Sequence, residues 1–141
     1  MSFIVEISQL TQKTNQFNLT TKRYSEEEIK SILDSKKFIV KTIQIEDRFG
    51  DYGISGVAII KITNDLWDID TFLMSCRVIG KKVEFSFINE IISEAKQKGI
   101  NKINAKFTQT EKNIPAKNFL KDVGFKLIKE ESNIKYYSLK L

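Results

Sequence analysis

The 141-residue chain contains no histidine, one cysteine and one proline, and the first two of these scarcities each remove a class of chemistry. Without imidazole there is no Ser-His or Cys-His nucleophilic pair within the chain, and no imidazole switch near neutral pH. The lone Cys76 cannot close an internal disulfide, and one thiol without histidine cannot build a common zinc site. No run approaches the roughly 18 apolar residues of a membrane helix. The start "MSFIVEISQL" also lacks a basic stretch before a long apolar core, so the cytoplasm is the expected compartment. The net charge of +5 comes from 23 basic and 18 acidic residues spread along the chain, which leaves the nucleic-acid reading without a concentrated patch. Chemistry must rest on carboxylates, hydroxyls, lysines, the one thiol or backbone amides.

With 41% hydrophobic and 29% charged residues, the composition is that of a globular protein, and the length suits one domain over residues 1–141. Phe3, Ile7, Leu10, Thr14 and Phe17 recur at helical spacing and predict an amphipathic helix over 3–17 with an amide-rich end, "QKTNQFN". In "RYSEEEIKSILDS", Ser25 and Glu28 form a capping box for a second helix that buries Ile29, Ile32 and Leu33 and stops near Ser35. Alternation in "KFIVKTIQIED", a turn at "DRFGDYG" and a second run, "ISGVAIIKIT", predict an antiparallel hairpin. "LWDIDTFLMSC" adds a third strand to the meander. The period then changes. Phe85, Ile88, Ile91, Ile92 and Ala95 share one face of a helix that Gly99 ends, and "INKINAKFT" follows as a strand, which implies a parallel crossover. "NIPAKNFLKDVG" predicts another helix, with Pro115 in its first turn and Gly124 at its stop. "FKLIKEE" and "IKYYSLKL" close the chain as two strands around Ser132 and Asn133. The expected architecture is α/β, a mixed six- to seven-stranded sheet with about four helices.

This order of elements resembles the Gcn5-related N-acetyltransferase fold, whose C-terminal signature is matched in spacing by Asn113, Ala116, Phe119, Leu120, Gly124 and Phe125. A narrower resemblance covers nearly the whole chain. "ISQLTQKTNQFNLTTKRYS", "DRFGDYGISGVAI", "IDTFLMSCRVIGKKVE" and "KNIPAKNFLKDVGF" look like the C-terminal acetyltransferase-like region of FkbH-like proteins, which join it to a haloacid-dehalogenase-type domain. The resemblance implies formation of a glyceryl or acyl thioester on an acyl carrier protein, as an extender unit in secondary metabolism. The implied partners are that carrier and a haloacid-dehalogenase-like domain or subunit. "WDIDTF" does not supply the latter's Asp-x-Asp-x-Thr motif, because Thr71 follows Asp70 directly.

What the resemblance implies for sites is a phosphopantetheine thioester, on coenzyme A or a carrier protein, between two splayed parallel strands. The loop after the third meander strand would hold the phosphates. Its residues are Arg77, Val78, Gly80, Lys81, Lys82 and Val83, with Asn113 contributing from the later signature. Gly80 takes the first glycine's place, but Lys82 stands at the second and Glu84 at the third small position, so the loop is degenerate; a simple helix cap supported by Glu84 is the plainer reading. Leu120 replaces the tyrosine that protonates a leaving thiolate in many relatives. Asp68 and Asp70 are candidate general bases on one strand face, or simply exposed carboxylates. Cys76 beside Arg77 is a candidate acyl carrier, or a small buried residue at a strand end. Asp47, Arg48, Asp51 and Tyr52 make an unusually functional hairpin turn. Two readings stay open: an acyltransferase on a thioester, and a non-catalytic module that docks the carrier protein.

Overall fold

The computed structural model describes residues 3–48 and 50–141; the side chains of Asp47, Asp51 and Tyr52, three of the hairpin candidates, lie outside what is described. Its elements are α1 (Phe3–Lys13), β1 (Phe17–Asn18), α2 (Glu26–Asp34), β2 (Phe38–Asp47), β3 (Gly50–Thr63) and β4 (Leu66–Met74). A 3-10 turn (Cys76–Val78) leads to α3 (Val83–Gln97), β5 (Lys102–Thr108), a second 3-10 turn (Ile114–Ala116), α4 (Phe119–Val123), β6 (Lys126–Glu131) and β7 (Ile134–Lys140). The sheet runs β2-β3-β4-β5-β7-β6, with β1 added beside β4, so the mixed seven-stranded architecture with four α-helices is the expected one. β4 and β5 are its parallel pair among the described residues.

One face of the sheet is covered by α1 and α2 over Ile54, Val57, Ile59 and Leu73, with Ile7 and Ile29 from the helices. The other is covered by α3 and α4 over Ile60, Trp67, Ile69, Phe72, Ile103 and Phe107. The capping box of α2 forms as expected, Ser25 accepting from the Glu28 amide and Glu28 accepting from the Ser25 amide. α1, by contrast, stops at Lys13 rather than Phe17. Arg23 donates to the Thr11 and Thr14 carbonyls and so satisfies the helix's last acceptors from outside. Asn18 donates from its side chain to the Thr14 carbonyl and turns the chain into β1. The predicted helix over 113–124 is likewise divided, Asn118 preceding a short α4 that Gly124 ends at φ +117°.

The registry of β3 on β4 steps from Ile59↔Thr71 to Ile60↔Ile69, which leaves Asp70 without a partner in β3. Such a bulge reverses the alternation of side chains. Trp67 and Ile69 before it, and Phe72 and Met74 after it, all reach the α3 side, while Leu73 packs under α1 and α2. β4 and β5 stay paired from Leu66↔Lys102 to Ile69↔Ala105 and then separate.

Candidate functional site

The divergence of β4 from β5 after the bulge creates the space in which the resemblance places a pantetheine arm. In this protein the chain's own residues 17–20 occupy it. Phe17 and Asn18 pair with Met74 and Leu73 of β4. The Leu19 amide then donates to the Phe72 carbonyl of β4 at 3.1 Å, and the Leu19 carbonyl accepts from the Thr108 amide of β5 at 2.8 Å. Leu19 therefore bridges the separated strands through its backbone, as a bound extended ligand would. Its side chain is 1% exposed. Below it the rings of Phe17, Phe72 and Phe119 meet, with centroids 5.0 Å apart for Phe17–Phe119 and 5.1 Å for Phe72–Phe119. Phe85 and Phe87 of α3 extend the cluster to one aromatic wall.

Asn113 locks this arrangement. Its side-chain amide donates to the Asn18 carbonyl at 3.0 Å and to the Thr108 carbonyl at 2.9 Å, while its oxygen accepts from the Thr110 amide at 2.8 Å. The residue is fully buried and all three groups are used inside the protein. Its expected place among coenzyme contacts is thus corrected to a clamp that ties β1 to β5.

Asp70 is also committed. As the bulge residue its carbonyl accepts from the Thr20 hydroxyl at 2.8 Å. Its carboxylate accepts from Lys22, Tyr24 and Thr71 at 2.5, 2.5 and 2.9 Å. Burial alone would raise its pKa, but the hydrogen bonds from Lys22, Tyr24 and Thr71 outweigh burial and hold it below the usual carboxylate range. Burial and the same bond to Asp70 push the Tyr24 hydroxyl well above its ordinary range, so it stays protonated as a donor. A carboxylate so stabilised is a poor proton acceptor, which corrects Asp70 from general base to anchor of the α1–α2 connection. Because its folded pKa is depressed, this stabilisation is complete above the unfolded carboxylate value of about 4 and is lost as pH falls through the folded value. Asp70→Asn should therefore flatten the loss of stability below about pH 4. Urea midpoints of both proteins across that range, followed by the single, buried Trp67, would show it; parallel curves would refute it. Asp68 lies elsewhere, half-buried beside Lys102 and Asn104 on the uncovered part of the sheet.

The loop after β4 satisfies several of its own amides. Ser75 caps the 3-10 turn by accepting from the Arg77 amide. The Val78, Ile79 and Lys81 amides donate to the Ser75, Cys76 and Val78 carbonyls, so three amides of the loop are spent within it. Gly80 takes φ +91° and Lys82 φ +62°, the latter a left-handed conformation that costs a lysine more than a glycine. Lys82 precedes α3 without a side-chain capping bond, and Glu84 has a buried carboxylate oxygen with no hydrogen-bond partner rather than a capping role. Val78 is buried and Val83 half-buried, so both serve the core.

Cys76 is exposed, which corrects the expectation of a small buried residue. It lines a cavity of about 720 Å³ on the α1 side of the sheet, together with Lys13, Asn15, Gln16, Ser75 and Arg77. The cavity brings Asn15 and Gln16 of "QKTNQFN" beside Cys76 and Arg77. Sequence reasoning missed Leu19, Thr20, Lys22 and Tyr24. Their signal was an aperiodic polar stretch, "NLTTKRY", within one of the blocks that carry the resemblance.

No family model matches the chain, and no curated protein does either. Solved structures do. The ribosomal-protein-S18-alanine N-acetyltransferase from Escherichia coli aligns with a TM-score of 0.75 at 10% identity, covering 99% of this chain and 90% of that one. The chain has the Gcn5-related N-acetyltransferase fold. The PaiA N-acetyltransferase from Thermoplasma acidophilum, in complex with coenzyme A, aligns at a TM-score of 0.66 with 16% identity, covering 84% and 72% of the two chains. An aminoglycoside 6'-N-acetyltransferase complexed with coenzyme A aligns at 0.64 with 11% identity, covering 82% and 78%. Those enzymes were solved with coenzyme A, whereas in this acetyltransferase fold residues 17–20 close the gap between β4 and β5. The residues present do not fit a pantetheine arm there.

Proposed function

We propose that this chain is an acyltransferase-like domain that acts on a phosphopantetheine thioester carried by an acyl carrier protein. It would work beside a haloacid-dehalogenase-like domain or subunit in forming a glyceryl or acyl thioester, and not as an acetyl-coenzyme A-dependent amine acetyltransferase. The Leu19 bridge closes the gap between β4 and β5 to a pantetheine arm from coenzyme A and carrier alike, so the observation that carries this reading is the cavity beside Cys76, outside that gap. Three further features support it. Three of the loop amides are spent within the loop, Leu120 supplies no acid, and Asp70 is held as an anion by three donors. What remains open to an acyl group is the cavity at Cys76, where Lys13 and Arg77 suit an anionic or carbonyl-bearing substrate. The four sequence blocks that resemble FkbH-like proteins include most of the residues that build this arrangement.

The test is a titration of the purified chain with acetyl-coenzyme A and, separately, with a holo acyl carrier protein. Saturable binding of the carrier, with no binding of acetyl-coenzyme A at millimolar concentration, is the expected result. Saturation by acetyl-coenzyme A alone would sink the proposal and return the chain to ordinary acetyl transfer. Treatment with a glyceryl or acyl thioester donor then tests for a covalent step. A hydroxylamine-sensitive mass adduct absent from Cys76→Ala would show one. Without an adduct, release of the acyl product from the donor distinguishes direct transfer from the non-catalytic docking role.

A further inference from the structure

α1 and α2 cover only part of their side of the sheet. Their core partners come from β2, β3 and β4, and beyond β4 the same face carries no buried apolar residue among the described residues. On β5, Ile103, Ala105 and Phe107 point into the α3 side, so Lys102, Asn104 and Lys106 point the other way. Registry extends the pattern across β7 and β6: Lys102 lies beside Lys140, Lys106 beside Tyr136, and Tyr136 beside Lys129, with Lys126 beside Ser138. Five lysines of three adjacent strands thus share one open face. The carboxylates among them are Asp68 at its border and Glu131, which pairs with Lys129 at 3.3 Å. Lys106 and Lys129 lie 5.7 and 4.7 Å from the Tyr136 ring centroid, and a groove of about 300 Å³ runs between these residues and exposed Ile128.

We propose that this lysine face of β5, β7 and β6 is the docking surface for the acidic side of the carrier protein. The proposal rests on the carrier reading above and names the surface it uses. Charge complementarity selects the occupant, because an acidic helix laid across the strands would meet lysines on all three and close over the Ile128–Tyr136 groove. A protein fits better than a nucleic acid. Two lysines already sit over Tyr136 and would have to move for a base to stack there, and the face holds no arginine for bidentate phosphate or base contacts. The face also lies on the same side of the sheet as α1 and the Cys76 cavity, so a carrier seated there presents its arm toward the thiol's side.

The experiment compares the wild-type chain with the triple variant K102E/K106E/K129E and with a control, K96E/K117E/K121E, that makes the same charge change on the α3–α4 side. Binding of a fluorescently labelled holo acyl carrier protein is followed by anisotropy at two salt concentrations. The face variant should bind at least about tenfold more weakly and lose most of the salt dependence, while the control changes by less than about threefold. K102Q/K106Q/K129Q, which keeps the stems, should show an intermediate loss and guards against a folding defect. Equal weakening in the face and control variants, or none in either, would overturn the surface while sparing the carrier reading. A wild-type chain that binds no carrier overturns both. A single-stranded oligonucleotide bound more tightly than the carrier, and released by the same three substitutions, would reassign the face to nucleic acid.

Discussion

Asn113→Ala should destabilise the protein by about 2–5 kcal/mol, although the side chain is small and polar. The substitution removes one acceptor and two donors at once. It leaves the Asn18 carbonyl to find another partner in the interior, and the Thr108 carbonyl and Thr110 amide to find theirs in a partly buried setting. Each such group costs about 1–3 kcal/mol when left unpaired in the interior, and partial relaxation keeps the total below the sum. Because Asn113 joins β1 to β5, the loss should be accompanied by faster amide exchange at Leu19 and Thr108, whose mutual hydrogen bond it flanks. Urea unfolding together with hydrogen exchange checks both parts. A variant within about 0.5 kcal/mol of wild type would show that the clamp is dispensable.

The second large effect belongs to the aromatic wall. Phe119→Ala should cost about 3–5 kcal/mol, since it empties a 3% exposed site that touches Phe17, Phe72 and Phe85. Phe17→Ala should cost a comparable amount, and the double variant should cost less than the two together by about 0.5–1.5 kcal/mol. That coupling reports the Phe17–Phe119 contact made while residues 17–20 lie in the gap between β4 and β5. Strict additivity in a thermodynamic cycle would mean that the segment leaves the gap in solution, and would reopen the space to a pantetheine arm.

Much of the fold was legible because its signals are local. The capping box of Ser25 and Glu28, the β-branched alternation of β2 and β3, and the change of period at Phe85 each depend on neighbours within a turn or two. The missing histidine and the Lys82 and Leu120 departures were equally plain, since they are matters of residue type. The candidate site was less so. A bulge is invisible in the alternation of "WDIDTFLM" until β3 is laid beside it, so the special position of Asp70 could not be read. The end of α1 depended on Arg23, ten residues beyond the helix, and Phe17 satisfied a helical stripe and a strand equally well. Composition and spacing thus determined the class of fold and the chemistry excluded from it. Only tertiary structure decided what fills the gap between β4 and β5, because that rests on hydrogen bonds from Leu19 to Phe72, from Thr108 to Leu19 and from Asn113 to Asn18, partners 53, 89 and 95 positions apart that no local pattern encodes.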